Sequence, residues 1–450
     1  MALAEADVSA CEALLNRLRD EGRLPGIVAA VFTPAGPAWE GRSGSTSAQY
    51  RIGSLTKTFT AVAVLQLREL GRLDLGDTIA DHVPDSPYPR STLRELLSHS
   101  AGMTAEPLGP WWERSPGKEW RHLAQDNRVG VTVFRPSQRY HYSNVGFAML
   151  GELVSRHRST TWYDALRLHI LEPLALNSTT YHPGEGAAQG TSRDPITGQL
   201  MKEPAYDSLA MAAAGQLWSS PADLARWGAF LISGDNDVLP RQALIEMRTA
   251  QSADSDIQHL GAYGLGLRLR WRSQSTLVGH TGSMPGFLAG TFADSVSGVG
   301  AVVLTNATTG LAPEKVVADL VDLVEPALAT VEAAPDTAAP PGTKISTPAS
   351  PAAELAGNWY FGNTPLEVRP DAAGFALVSG DGSPAFRHLE GDVYLGLSGY
   401  YAGERLTVVR RPDGAVSHLE VVTFVLTRTP YDPSAPIPGA LPAEALSWPG

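Results

Sequence analysis

The chain has one cysteine, Cys11, in 450 residues. A disulfide framework needs pairs and a thiolate-bound metal needs clusters, so both are excluded. Basic residues are outnumbered 47 to 35, and the formal net charge of −12 leaves no basic face of the kind a general nucleic-acid binder presents. No window approaches the roughly 18 apolar residues that a membrane-spanning helix needs. The N-terminus also lacks a basic segment followed by an apolar one, the pattern of a secretory signal, so the expected location is cytoplasmic with no membrane partner. Eleven histidines are scattered without ligand spacing, and HExxH, P-loop and dinucleotide fingerprints are missing, so no metal and no cofactor is expected.

What is present builds cores. Hydrophobic residues make up 43% and charged residues 18%, which rules out disorder as the main theme, and the length suits two to three domains of about 150 residues. Thr330–Ala353 is rich in Ala, Pro, Thr and Ser and reads as an extended linker between blocks 1–329 and 354–450. In the first block the pattern predicts a strand pair at Ile27–Phe32 and Ala38–Arg42, a loop at Asp81–Pro89 and helices at Leu93–Leu97 and Ala222–Leu231. Strands follow near Leu277–Val278, at Phe287–Phe292 and at Gly298–Thr305, before a last helix from Pro313 to about Ala327, which together make a mixed α+β domain. In the second block, Leu366–Val368, Gly374–Val378 and Leu406–Val409 are apolar runs separated by Gly, Asp and Pro, the pattern of an antiparallel sheet or small barrel. The proline-rich tail from Tyr431 is expected to wrap a surface.

Three short segments carry chemistry. Ser54 and Lys57 stand three apart at the start of an apolar helical stretch that includes Phe59, Val62, Ala63, Gln66, Leu67 and Leu70, stopped by Gly71. A serine hydroxyl needs a base, and a desolvated lysine is one because burial lowers its pKa. Ser-x-x-Lys alone more often marks an N-cap serine and a solvated lysine. Tyr142 and Asn144, in Tyr140-His141-Tyr142-Ser143-Asn144, alternate onto one side of a loop; a phenol relays protons and an amide holds a carbonyl. Gly279-His280-Thr281-Gly282-Ser283 follows the strand residues Leu277 and Val278. Its small residues let a substrate backbone approach, with the Ser283 N–H as an oxyanion donor; taken alone, His280 is more often a core or surface histidine.

Together, Ser-x-x-Lys, Tyr-x-Asn and His-Thr-Gly at 54, 142 and 280 resemble the serine penicillin-recognising family of penicillin-binding proteins, class C β-lactamases and related esterases and D-amino-acid peptidases. Leu96–Gly102 is similar to the family's LLxHxSG segment. Ala213–Ser219, which holds Gly215, resembles its loop before the Ala222 helix. The resemblance implies an antiparallel sheet flanked by helices with a helical subdomain. It makes Ser54 the acylated nucleophile and Lys57 with Tyr142 the acid–base system. Asn144 then orients the acyl amide, His280 replaces a common lysine, and Thr281, Gly282 and Ser283 line the substrate cleft. Pro136-Ser137 departs from the usual Pro-Gly. The second block, with Leu355-Ala356-Gly357-Asn358-Trp359-Tyr360, resembles an appended lipocalin-like domain.

Trp111 and Trp112 are either pocket walls or buried loop anchors, and Arg428 either a carboxylate clamp reaching the site or a surface or interface residue. Within the family, the chain is similar to penicillin-binding-protein-type thioesterases, which release a nonribosomal peptide from a carrier-protein thioester by head-to-tail macrolactamisation. The alternatives are a cytosolic esterase or D-amino-acid amidase, peptidase or β-lactamase with water as acceptor, and a scaffold or sensor with a vestigial site. Because the trio is complete by Ser283, acylation is expected not to need the barrel, which instead governs acceptor choice and substrate length. The roughly 24-residue linker spans on the order of 75 Å extended, enough to fold the barrel over Ser54.

Overall fold

The computed structural model describes residues 3–253, 261–328, 352–379 and 383–433. Most of the expected linker and the tail after Pro433 lie outside the described residues.

Eight strands form the main sheet: β1 (Gly26–Thr33), β2 (Gly36–Gly44), β3 (Ser252–Ala253), β4 (Gly261–Tyr263), β5 (Arg268–Trp271), β6 (Thr276–Met284), β7 (Phe287–Asp294) and β8 (Gly300–Thr305). They run antiparallel in the order β2-β1-β8-β7-β6-β5-β4-β3. The central strands read as continuous apolar runs because both faces are covered. Along β1, Ile27, Ala29 and Val31 face one core, and Val28, Ala30 and Phe32 face the other. Helices α1 (Glu5–Gly22) and α6 (Pro313–Leu328) cover the first face through Leu14, Leu15, Val317, Leu320 and Val324.

The other face carries α2 (Thr56–Glu69), α3 (Asn144–Arg158), the short α4 (Ala212–Gly215) and α5 (Pro221–Ser233). Every residue of α2 from Thr56 to Leu67 is buried, so this helix is the spine of the larger core. Phe59 stacks on Trp227 at 3.8 Å, whose indole donates to Thr58 Oγ1 at 2.8 Å. Gly71 ends the helix as expected, with φ +66. The expected loop at Asp81–Pro89 is partly helical: Ile79–His82 forms one turn, started by a capping box of Thr78 with Asp81.

The second block closes into an eight-stranded antiparallel barrel: β9 (Gly357–Phe361), β10 (Thr364–Pro370), β11 (Gly374–Val378), β12 (Ala385–Glu390), β13 (Val393–Gly396), β14 (Arg405–Arg410), β15 (Val416–Val421) and β16 (Phe424–Thr427). Pairing of Tyr360 with Thr427 and Phe361 with Leu426 closes it. This agrees with the lipocalin-like expectation. The barrel core includes Trp359, Phe375, Phe386 and, from the first block, Trp111.

Phe32 lies between two glycines, Gly228 on α5 and Gly300 on β8; a Cβ at either would come within 2.2 Å of the ring. The fully buried ring has nowhere to go. Gly228→Ala is therefore expected to cost about 1–3 kcal/mol by overpacking. The check is a lower urea midpoint with an unchanged m-value; an unaltered midpoint would mean the ring moves freely.

Candidate active site

Ser54 sits in a 3-10 turn, Gly53–Leu55, that feeds α2, rather than in the helix itself. Gly53 has φ +51, and a Cβ there would lie 2.6 Å from Ser283 N. Gly282 is as tightly placed: a Cβ would meet Ile52 O at 1.9 Å and Ser54 N at 3.2 Å. Only glycine permits this approach of turn to strand, which brings the backbones of Ser54 and Ser283 together. β5 pairs with Thr276–Gly279, so among the described residues β6 beyond Gly279 has no strand partner on that side.

Lys57 is fully buried, with Nζ 3.0 Å from Ser54 Oγ and donating to Ala214 O at 2.7 Å. Burial lowers its pKa to about 7, against the opposing pull of Glu106 and Glu113. The Tyr142 ring lies 4.8 Å from Nζ. Burial raises the Tyr142 pKa well above the ordinary phenol value, and Ser54 beside its hydroxyl opposes the rise, so Tyr142 rests protonated. Lys57, in contact with Ser54 Oγ, therefore sheds its proton near neutrality.

Asn144, the first residue of α3, donates Nδ2–H to Glu106 at 2.6 Å, while its buried Oδ1 has no partner among the described residues. His280 is buried between the Thr281 carbonyl at Nδ1 and the Tyr263 hydroxyl, 2.9 Å from Nε2. A carbonyl only accepts, so Nδ1 carries the proton and Nε2 accepts from Tyr263. Burial, then Lys57, holds the His280 pKa well below its usual value. A neutral imidazole thus stands where a lysine would supply charge. Arg268 donates to Thr281 Oγ1 at 3.2 Å and pairs with Glu314 at 3.3 Å. Gly215 lies against this turn, where a Cβ would meet Trp112 at 3.2 Å and Met284 at 3.3 Å.

The tryptophans divide. Trp112 is buried and donates to Glu106 at 2.7 Å, at the site's margin. Trp111 stacks on Phe361 at 4.7 Å and meets Phe424 edge-on, so it anchors the barrel rather than walling a pocket. Arg428 does not act as a clamp in this arrangement. Its guanidinium donates to the carbonyls of Ala356, Asn358 and Glu354 and lies 4.1 Å from the Trp359 ring, which uses it to tie the barrel's own ends.

With the site assembled, comparison with known proteins places the chain. A family model described as Beta-lactamase matches residues 11–325. The chain belongs to the beta-lactamase family. Residues 348–428 match a second model, Domain of unknown function (DUF7586). This beta-lactamase-family chain is 27% identical to penicillin-binding protein 4 of Amycolatopsis lactamdurans over 65% of its own length and 83% of the relative's. The match to protein flp of Staphylococcus aureus (strain MW2), 22% identical over 60% of this chain, spans only about half (55%) of that relative. Among solved structures, the D-amino acid amidase of Ochrobactrum anthropi SV3, complexed with L-phenylalanine amide, is 26% identical with TM-score 0.60, covering 72% of this chain and 98% of that one. SurE with D-Leu is 26% identical with TM-score 0.59, covering 94% of this chain and all of that one (100%).

Two carboxylates beside the site, Glu106 and Glu113, carried no sequence signal. Glu106 is buried, accepts from Asn144, Trp112 and, across the domain boundary, the Tyr400 hydroxyl, and burial pushes its pKa up to about 8. Burial also raises Glu113, which accepts from the Trp111 indole. His99, within the Leu96–Gly102 segment, accepts from Ser143 N at 3.0 Å and packs on Tyr142 with centroids 4.2 Å apart. A lone loop glutamate looks solvated in a sequence; only packing shows that it is not.

Two outcomes are expected. Ser54→Ala abolishes covalent labelling by a fluorophosphonate, read by intact-protein mass spectrometry, and lowers turnover by several orders of magnitude while circular dichroism is unchanged; wild-type turnover would dismiss Ser54 as nucleophile. The labelling rate of the native chain rises about tenfold per pH unit below roughly 7 and flattens above it, because Lys57 must lose its proton before it accepts one from Ser54. Lys57→Arg removes that limb, since a guanidinium stays charged; an unchanged profile in that variant would dismiss Lys57 as the base.

Proposed function

We propose that this chain is a serine acyl-transfer enzyme that works through an ester on Ser54. The observation that carries the proposal is Lys57, fully buried and 3.0 Å from Ser54 Oγ. Neutral Lys57 donates one N–H to Ala214 O and takes the Ser54 proton on its lone pair. Ser54 Oγ then adds to the acyl carbonyl, and the N–H groups of Ser54 and Ser283 stabilise the oxyanion. The proton passes through Tyr142 to the leaving group, whose bond to the acyl carbon breaks. In the second half-reaction an acceptor is deprotonated by the same pair, adds to the ester and frees Ser54.

The finer reading is a penicillin-binding-protein-type thioesterase. It takes a peptidyl thioester, borne by a peptide-synthetase carrier protein, and lets the peptide's own amine displace Ser54, giving a head-to-tail macrolactam. Two features support it. His280 is neutral and the neighbouring Arg268 is already paired with Glu314, which weakens any cationic clamp for the free carboxylate of a cell-wall peptide or penicillin. SurE, solved with D-Leu, resembles 94% of this chain, which suits a donor that ends in a D-residue. The similarity to a D-amino acid amidase favours a second reading, in which water is the acceptor and a D-aminoacyl amide the donor.

A panel of peptidyl thioesters, D- and L-aminoacyl amides and p-nitrophenyl esters separates these. A product one water lighter than the linear acid, absent with Ser54→Ala, is expected from thioesters. Linear acid alone from every thioester, with fast turnover of D-aminoacyl amides, would replace cyclisation by hydrolysis.

A further inference from the structure

The barrel reaches the catalytic side through one short segment between β13 and β14. Gly399–Tyr401 makes a 3-10 turn, followed by Ala402, Gly403 and Glu404. Gly403 has φ +76 and lies so close to the first domain that a Cβ would sit 2.2 Å from Val133 Cγ1, so the segment is docked and not merely adjacent. Glu404 is 5% exposed, although it belongs to the barrel. Its Oε1 accepts from Ala105 N at 2.8 Å and from His141 Nε2 at 3.0 Å, both in the first domain.

Those two donors belong to the walls that hold Tyr142 and Asn144. Ala105 O accepts from Asn144 N at 2.7 Å, and Thr104 O accepts from Ser143 Oγ at 2.8 Å. His141 N donates to His99 O at 2.7 Å. Glu404 therefore pins segment 104–106 to segment 141–144 from outside. Tyr400, four residues earlier, donates its hydroxyl to Glu106, the carboxyl that accepts from Asn144 Nδ2, and its ring lies 6.0 Å from that of Tyr142. With Glu404 gone, the buried Ala105 N–H and His141 would lose their acceptor, and the loop would have to move to find water.

We propose that Glu404 and Tyr400 of the barrel are positioning residues for Tyr142 and Asn144, so that acyl transfer at Ser54 depends on the docked barrel. This reverses the expectation that acylation needs only residues up to Ser283. It rests on Ser54 being the nucleophile, and labelling of the native chain tests that separately.

The experiment uses the full chain and four proteins: native, Glu404→Ala, Glu404→Gln and Tyr400→Phe. Ser54 is titrated with fluorophosphonate, and turnover of a p-nitrophenyl ester is expressed per labelled site, which removes any loss through unfolding. Glu404→Ala is expected to lower kcat per site by about ten- to a hundredfold, the scale of a small misplacement of reacting groups. Glu404→Gln keeps an acceptor oxygen for both donors and is expected to restore kcat to within about threefold of native. Tyr400→Phe loses only a hydroxyl and is expected to raise KM more than it lowers kcat, because it acts through Asn144. Native per-site kinetics in both Glu404→Ala and Tyr400→Phe would overturn the proposal, as would a loss in Glu404→Gln as deep as in Glu404→Ala. If Glu404→Ala does not fold, native KM and kcat in Tyr400→Phe overturn it. A native chain that takes no label would instead discard the Ser54 reading.

Discussion

An amine buried without a compensating carboxylate in contact is the constraint on which the site depends. Lys57 gives up its hydration and receives in return one carbonyl, Ala214 O, and the Ser54 hydroxyl. A charged ammonium there is costly, so its proton is lost near neutrality. The sequestering needs α2 to be buried on all sides, which explains why residues 56–67 read as apolar or small almost throughout. It also needs the turn at Gly53 to pass β6 closely enough that water does not enter from the strand side.

The surrounding groups follow the same logic. His280 and His99 are held neutral by burial, and Tyr142 and Tyr263 are held protonated. Burial raises Glu106 and Glu113. Around Ser54 the cleft offers amides, hydroxyls and aromatic faces, and Arg268, the cation that donates to Thr281, is paired with Glu314.

The barrel is joined to this arrangement by specific contacts. Trp111 from the first domain is part of the barrel core, Asn363 donates to Ser192 Oγ at 2.8 Å, and Glu404 and Tyr400 reach back to Ala105, His141 and Glu106. Buried polar contacts across a boundary are costly to break, because each leaves a donor or acceptor unsatisfied. The two domains therefore share one polar network next to Tyr142, and the helix end at Asn144 is held from both sides.

Local pattern was enough for much of this. The apolar spacing after Ser54 marks α2, alternation marks the strands, and three short motifs single out Ser54, Lys57, Tyr142, Asn144 and His280 as candidates. Those signals work because they arise from neighbours along one chain: a helical turn sets the Ser54–Lys57 spacing, and a pleat sets which side a residue faces. The protonation states of these residues, the burial of Glu106, the use of Trp111 as a barrel anchor and the folding of Arg428 back onto the barrel's own end were decided by tertiary structure alone. Each depends on what packs against a side chain from tens to hundreds of residues away, as Glu404 does against Ala105. Solvation and charge are properties of that environment, and a sequence does not display it.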